Sequence, residues 1–207
     1  MRRNIPMRRA TLIVVLMTVW VTPAFARNAF VEVTGQTECF DVVGNSVDCA
    51  GTGQDGDTQA GVSWPSPRFR DKGNGTVVDR LTGLVWLKDA NCFGEQTWQD
   101  ALNATNTLED DPASTTTDCG LSDGSKAGDW RLPNVKELQS LIDFGAFDPA
   151  LPAGHPFSGV QSAFYWSSTT FVGSPSAAWD VSLRDGITTN DVKDGGFFHV
   201  WPVRRGR

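Results

Sequence analysis

The sequence predicts an α+β domain in which two helices pack on antiparallel strands with long loops. Short alternating apolar segments predict strands near residues 76–87 and again after residue 164. Between them, two capped segments with helical apolar spacing begin near residues 97 and 134. Strands, then helices, then strands is the order of an α+β domain rather than of alternating strand–helix units. The 207 residues allow one ordinary domain with appendages, or at most two small ones.

Residues 1–26 have the three parts of a secretory signal peptide. The start is rich in arginine, residues 10–21 are apolar, and Ala24 and Ala26 provide a small-x-small cleavage pattern. Twelve apolar residues rise only ~18 Å as a helix, short of a hydrocarbon core of ~30 Å. We therefore expect a cleaved leader, a periplasmic or secreted protein, and no membrane span in the mature chain.

The charge of the mature chain is more negative than that of the whole sequence. The full chain has a formal net charge of −6, but its first 26 residues contain four arginines and no acid. Without them, 14 basic residues face 24 acidic ones, a net charge of −10. A surface this acidic repels phosphate, so the sequence predicts no nucleic-acid partner and no docking on anionic lipid.

The four cysteines all follow the leader, and an even count in an exported chain predicts disulfides. Of three connectivities, the local pattern favours Cys39–Cys49, because apolar residues alternate around a Gly-Asn turn. With a loop of residues 43–45, Cys39 faces Cys49 across a hairpin, which leaves Cys92 to pair with Cys119. A zinc site is the alternative, but no pair has the spacing of two to four residues that zinc sites use.

The composition divides the mature chain into two parts. Residues 27–67 contain the cysteine hairpin and a Gly/Pro-rich connector, and residues 68–207 form the main domain. Acidic residues such as Asp55 and Asp57 do not follow the spacing of a calcium-binding loop. The sequence therefore predicts no resident cofactor, and calcium stays open.

The first half of the main domain predicts a hairpin followed by a helix. Residues 76–79 and 84–87 are the strands, and a turn containing Gly83 joins them. The helix covers residues 97–108, with Thr97 as its N-cap and an apolar stripe along one face.

A capping box begins the second predicted helix. Asn134 is its N-cap, Glu137 stands three residues later, and the apolar pattern continues to residue 143. Residues 109–128 and 144–163 show no apolar period and predict two long loops.

The last third of the chain predicts a meander of four strands. The predicted strands are residues 164–170, 178–183, 187–192 and 197–203, and Asp-Gly or Gly-Gly turns separate the last three. Residues 178–183 show the clearest alternation. Each strand is expected to pair with the one before it.

Five motifs in the main domain resemble one known family. They are FRDKGNGTVVDRLTGLVW at residues 69–86, DWRLPNVKEL at 129–138, YWSST at 165–169, AW at 178–179 and PVRRG at 202–206. Together they resemble the Lcl C-terminal domain family of exported bacterial proteins, most of unknown function. The resemblance implies a C-type-lectin-like fold and, by analogy with a collagen-like adhesin of the family that binds sulfated glycans, glycan binding.

Two features depart from that family. Members commonly end in a strand patterned Val-Arg-x-Val-Arg, whereas residues 200–204 are VWPVR. The collagen-like Gly-x-y tract of the adhesin is also missing. Capture of a sulfated glycan by so acidic a chain would require its few cations to gather locally, or a bridging divalent cation.

The Trp-Arg-Leu-Pro motif before the second helix has a structural explanation. Five residues are predicted to be structural: a tryptophan covers the start of that helix, an ion pair lies beside it, and the others set up its N-cap. They are Trp130, Arg131, Pro133, Asn134 and Glu137.

A different set is expected to bind ligand. Trp179 and Trp201 flank loops of the predicted meander, where indole rings could stack on sugars. Arg184, Lys193 and Arg204 are the basic residues expected beside them.

The motifs contain no catalytic constellation. The Ser-Thr run at residues 167–170 has no histidine within sequence reach and no nucleophile-elbow pattern, and His155 and His199 stand alone. The motif Arg-Leu-Pro also resembles formylglycine-generating oxidases, but no cysteine after Cys119 could supply their late reactive pair. No spacing among the acidic residues singles out a hydrolytic pair.

The sequence thus predicts an exported, non-catalytic binding module that recognises a glycan or a cell-envelope partner. The first alternative is a protein-interaction or structural envelope module without glycan binding. An enzyme on a formylglycine-generating-enzyme-like fold is the second.

Overall fold

The described part of the chain, residues 31–111 and 119–206, forms two larger β-sheets and a two-stranded hairpin in the computed structural model. The predicted leader lies outside the described residues. Strands predominate and helices are short, so the α+β prediction is confirmed. Within these ranges, no helix has the length and apolar character needed to cross a membrane.

The elements are numbered in chain order, helices separately from strands. The described helices are α1 (Asp55–Thr58), α2 (Trp98–Thr107) and α3 (Val135–Gln139). The described strands are β1 (Cys39–Phe40), β2 (Ser46–Val47), β3 (Phe69–Asp71), β4 (Thr76–Asp79), β5 (Leu84–Leu87), β6 (Glu95–Gln96), β7 (Phe164–Thr170), β8 (Ala177–Ser182), β9 (Thr188–Val192), β10 (Phe198–His199) and β11 (Val203–Arg205).

The cysteine hairpin forms, but its predicted register is wrong. Cys39 pairs with Val47 in the ladder rather than with Cys49. The cause is Asp41, whose carboxylate accepts the amide hydrogens of Val43 and Asn45 at 3.0 and 2.9 Å and closes the turn one residue earlier.

Both predicted disulfides are nevertheless present. Cys39 and Cys49 are bonded with their Cα atoms 5.2 Å apart, and Cys92 and Cys119 with theirs 5.7 Å apart. Both separations are ordinary for a disulfide. Two such bonds indicate an oxidising, extracytoplasmic environment.

The four-stranded sheet has the order β11-β5-β4-β3. It contains the predicted hairpin of β4 and β5, in which Val77 pairs with Trp86. Helix α2 also begins as predicted, because the hydroxyl of its N-cap Thr97 accepts the amide hydrogen of Asp100.

Helix α3 has the predicted capping box but ends at Gln139, four residues before the predicted end. The hydroxyl of Ser140 donates to the carbonyl oxygen of Glu137, and the amide of Leu141 donates three residues back to Leu138. The guanidinium of Arg68 also binds the carbonyl oxygen of Ser140. These contacts satisfy backbone polar groups of the last turn, and the chain leaves the helix there.

The five-stranded sheet has the order β6-β10-β7-β8-β9, and the predicted four-strand meander is therefore wrong in its last step. Strand β7 matches its predicted range, and β8 and β9 follow it antiparallel. The predicted strand 197–203 is instead divided into β10, parallel to β7, and β11 in the other sheet. Pro202 lies between them and has no amide hydrogen to donate to a ladder, which explains the interruption.

The main core contains side chains from both sheets and from the turn after α3. Trp86, Tyr165, Leu138 and Trp201 are completely buried in it. A smaller cluster under α2 surrounds Trp166. The segments before β3 lie outside both clusters and form part of the surface described next.

Candidate ligand-binding cleft

A cleft of about 350 Å³ lies between the cysteine hairpin and the main domain. One wall consists of residues 36–38 and Phe40, and the other of residues 144–147. Asp185, in the turn between β8 and β9, completes the lining. We call this site the Phe cleft.

Two glycines bring the walls together. The amide of Phe144 donates to the carbonyl oxygen of Thr34 at 2.8 Å, and the amide of Gly145 donates to the Asp143 carboxylate at 2.8 Å. A Cβ atom on Gly145 would lie 2.6 Å from the carbonyl oxygen of Gly35, so the two chains approach at a distance that only glycine permits. The cleft is therefore formed by a backbone contact rather than by its lining side chains.

The hairpin wall is also held in place locally. The side-chain amide of Gln54 accepts from the amide of Phe40 at 3.1 Å and donates to its carbonyl oxygen at 3.0 Å. The Cys39–Cys49 disulfide lies next to Phe40 in the chain. Together they fix the position from which Phe40 extends into the cleft.

Three phenylalanine rings in the cleft are unusually exposed. The exposed fractions are 41% for Phe40, 55% for Phe144 and 64% for Phe147. Single exposed apolar residues are common on protein surfaces, but three aromatic rings around one concavity are the arrangement expected at a binding site.

The polar lining of the cleft is acidic. Glu38 lies on the hairpin side and Asp185 on the sheet side. A side-chain hydrogen bond from Ser182 and the amide of Ile187 lower the pKa of Asp185, so this carboxyl group stays ionised at neutral pH. Among the described residues that line the cleft, none is basic.

Arg184 is the predicted ligand-binding residue that lies beside the cleft. Its side chain is exposed, and its guanidinium carbon lies 5.2 Å from the ring centre of Phe147. The amide of Asp148 donates to the carbonyl oxygen of Arg184 at 2.9 Å, which keeps the two loops together. Arg184 therefore covers one face of a cleft ring.

Trp179 and Lys193 lie elsewhere, around residues 170–176. Trp179 is half-buried and packs edge-on against Phe171, with ring centres 5.1 Å apart. The ammonium of Lys193 donates to the Thr170 hydroxyl and lies 4.1 Å from the ring centre of Trp98. The structure thus brings neither residue to the Phe cleft.

Trp201 is not a surface platform, and the prediction that it stacks on a sugar is wrong. Its side chain is completely buried, and Trp86, Phe157 and Tyr165 surround its ring. Its indole nitrogen donates to the carbonyl oxygen of Leu87 at 2.9 Å. The residue packs in the core because the chain crosses from one sheet to the other at this point.

Arg204 lies in a second hollow, of about 360 Å³, together with Arg131 and Arg205. Its guanidinium binds the Asp123 carboxylate at 2.7 Å and lies over the ring of Trp130. Burial raises the pKa of Asp123, but hydrogen bonds from Ser125 and Arg204 outweigh that effect and lower it. The charge of Arg204 is thus already balanced by a protein carboxylate.

The residues expected to be structural surround the start of α3. Arg131 donates to both carboxylate oxygens of Glu137, at 2.7 and 2.6 Å, and Glu137 also accepts the amide hydrogen of Asn134. Trp130 is buried and donates to Ser125, while the carbonyl oxygen of Pro133 accepts from the amide of Ser168.

The polar residues considered for catalysis make contacts with the scaffold. Ser167 donates to the carbonyl oxygen of Trp179 at 2.6 Å. His199 binds the side-chain oxygen of Asn91 at 2.8 Å, and His155 lies against Phe157. All four cysteines are in disulfides, and in the described ranges no cluster of three His, Cys, Asp or Glu residues could hold a metal ion.

No specific pattern in the sequence indicates the Phe cleft. Phe144 and Phe147 stand in a segment without an apolar period, and Phe40 belongs to the hairpin predicted from its two cysteines. Isolated phenylalanines among Gly, Ala and Asp residues in a long loop were the only indication available.

The fold and the cleft together define an α+β domain with two internal disulfides and an aromatic surface cleft. The family model of the Lcl C-terminal domain matches residues 75–204, which is more than half of the chain. The protein therefore belongs to the Lcl C-terminal domain family. A comparison with curated protein sequences found no match. The matched region includes Phe144, Phe147 and Asp185 but not the hairpin wall of the cleft.

Proposed function

We propose that this protein is an exported, non-catalytic binding module with a C-type-lectin-like fold, and that it recognises a glycan through the Phe cleft. The observation that carries the proposal is the exposure of Phe40, Phe144 and Phe147 around one polar concavity. Membership of the Lcl C-terminal domain family supports an exported bacterial protein. Two disulfides favour the periplasm or the exterior of the cell.

The lining of the cleft suits a sugar. An exposed ring offers an apolar face on which the C–H groups of a pyranose can pack, and nearby polar groups can bind its hydroxyls. Gln36, Glu38 and Asp185 provide amide and carboxylate groups for those hydrogen bonds. The volume of about 350 Å³ lies at the small end of ligand sites, which suits one or two sugar units rather than a long chain.

A glycan array with the mature protein tests the proposal directly. It is run with and without calcium, on the parent chain and on Phe144→Ala/Phe147→Ala. We expect binding by the parent and its loss in the double variant. Phe197→Ala is the matched control, because Phe197 is 57% exposed but does not line the cleft. Equal binding by the double variant would overturn the assignment of the cleft.

One observation favours the second candidate, a protein-interaction module. Val42 and Val43, at the tip of the cysteine hairpin, are almost fully exposed. Apolar side chains at such a tip are suited to pack against a protein partner. Absence of binding across neutral, amino and sulfated glycans would favour this candidate, and Val42→Ser/Val43→Ser would then be the variant to compare with the parent.

A further inference from the structure

We infer that the Phe cleft selects a ligand that carries an ammonium group. This inference rests on the proposed function and narrows its ligand to a chemical class. Three features of the cleft carry it: three exposed phenylalanine rings, two carboxylates in the lining, and one ring that already has a cation on its face.

The rings favour a cation over a neutral polar group. A phenylalanine ring has a negative face and no hydroxyl or N–H, so toward a polar ligand it offers cation–π attraction and apolar packing. The guanidinium of Arg184, 5.2 Å from the ring centre of Phe147, shows that one of these rings already accepts a cation. The exposed parts of Phe40 and Phe144 have no cation at contact distance in the described structure.

The carboxylates act in the same direction. Glu38 comes from the hairpin wall and Asp185 from the turn after β8, so two carboxylates from different elements line the space that a ligand would enter. Arg184 adjoins the cleft but lies over Phe147, outside the lining. The whole chain is acidic as well, with a net charge of −6, and attracts cations over a longer range.

The same features of the cleft disfavour an anionic ligand. Its charge would be placed in a lining that contains two carboxylates and against ring faces that repel it. Arg184, beside the cleft, lies over the Phe147 ring, and its charge already acts on Asp185, whose pKa it lowers further. Arg131 and Arg204 lie in a separate hollow and are paired with Glu137 and Asp123. The Phe cleft therefore discriminates against sulfated and carboxylated ligands.

Two oligosaccharides with the same backbone, one with free amino groups and one with N-acetyl groups, test this inference. Oligomers of β-1,4-linked glucosamine carry ammonium groups in mildly acidic buffer, whereas the N-acetylated oligomers of the same length are neutral. We expect the glucosamine oligomers to bind more than tenfold more tightly in calorimetric titrations. Choline and Nα-acetyl-lysinamide are titrated in parallel, to separate an amino sugar from an ammonium group of another source.

Single substitutions show whether the cleft causes the preference. Glu38→Gln and Asp185→Asn should each reduce the preference for glucosamine oligomers, and Phe144→Ala should weaken their binding about 2- to 30-fold. Asp194→Asn removes the same charge from an exposed position outside the cleft and should leave the preference unchanged.

The outcomes separate this inference from the proposed function. Equal binding of both oligosaccharides, lost in Phe144→Ala, would overturn the ammonium preference and keep the glycan-binding cleft. Binding of choline or Nα-acetyl-lysinamide alone, dependent on Phe144, would support the ammonium preference and overturn the glycan proposal. Failure of every probe to bind would overturn both.

Discussion

Arg68 donates two hydrogen bonds to Asp79, from Nε at 3.2 Å and from Nη2 at 3.0 Å, and both side chains are almost completely buried. The guanidinium also lies 5.0 Å from the ring centre of Trp64 and binds the carbonyl oxygen of Ser140. This ion pair therefore connects the connector, β4 and the turn after α3. Glu32, 3.9 Å from Nη1, brings the N-terminal segment to the same place.

Breaking this pair should strongly destabilise the fold. Asp79→Asn removes the carboxylate that is hydrogen-bonded to the buried charge of Arg68 and leaves only the more distant Glu32, and breaking a buried pair typically costs ~3–5 kcal/mol of unfolding free energy. Chemical denaturation of the two proteins measures the difference. Asp71→Asn is the matched control, since Asp71 pairs with Lys88 at the surface, where ~0–1 kcal/mol is expected. Equal losses in both variants would contradict the role assigned to Arg68.

Asp180 should give the protein a pH-dependent loss of stability. Its side chain is completely buried and neither carboxylate oxygen has a hydrogen-bond partner in the described structure. Burial, and secondarily the charge of Asp191, raise its pKa from 3.8 to about 7. Between these values the folded protein binds more protons than the unfolded chain, so the free energy of unfolding falls as the pH rises.

Asp180→Asn removes this titration. Relative to the parent, the free energy of unfolding of the variant should therefore increase by ~1–3 kcal/mol as the pH rises from about 4 to about 7, because the variant has no buried carboxylate to ionise. Denaturation curves of both proteins across this pH range measure the difference in unfolding free energy. The contributions of the other titrating groups are the same in both proteins and cancel in that difference. Asp194→Asn, an exposed acid, should follow the parent. Parallel stability curves for parent and Asp180→Asn would show that the Asp180 carboxyl is solvated.

Glu137 should have the opposite pH dependence. Burial raises its pKa, but hydrogen bonds from Arg131 and Asn134 outweigh burial and lower it. The stabilisation that ionised Glu137 provides is thus present above its pKa in the unfolded chain, ~4.3, and is lost as the pH falls through its lower pKa in the folded protein. We expect Glu137→Gln to cost ~1–2 kcal/mol at neutral pH and progressively less in acid, measured by thermal denaturation. Glu95→Gln, at a 60% exposed side chain, should cost little at any pH.

The elements that the sequence predicted well are those with local causes. The N-cap of Thr97, the capping box of Asn134 and the turn at Gly83 depend on residues within four positions of one another. Such signals act through neighbouring backbone groups, so the pattern in the chain is sufficient to find them.

The elements predicted wrongly depend on distant partners. The sequence predicts one strand at residues 197–203, but Pro202 and the burial of Trp201 divide it between two sheets. The Phe cleft is a stronger case, because a close approach of Gly145 to the backbone of Gly35 brings the segments of Phe144 and Phe40 to one cleft. Contacts over a hundred residues of chain leave no periodic signal in the sequence.

The two disulfides should differ in what they stabilise. Cys92–Cys119 closes a loop within the main domain, and its removal should cost ~3–4 kcal/mol of unfolding free energy in the chain-entropy model. Cys39–Cys49 lies in the hairpin, outside the region that matches the family. Cys39→Ser/Cys49→Ser should leave the melting temperature of the main domain nearly unchanged but weaken ligand binding, because Phe40 loses its support. A variant that binds ligand normally would show that the hairpin wall does not need the disulfide.

Gly145→Ala should open the Phe cleft without removing any of its lining side chains. The added methyl group would lie 2.6 Å from the carbonyl oxygen of Gly35, so the N-terminal segment must move away from residues 144–147. We expect ligand affinity to fall while the thermal unfolding of the main domain changes little. Gly206→Ala is the matched control, since its methyl group would also lie 2.6 Å from a carbonyl oxygen, that of Gly83, but outside the cleft. Affinity retained in Gly145→Ala would mean that the hairpin wall contributes nothing to binding, and the site would then have to lie on the main domain alone.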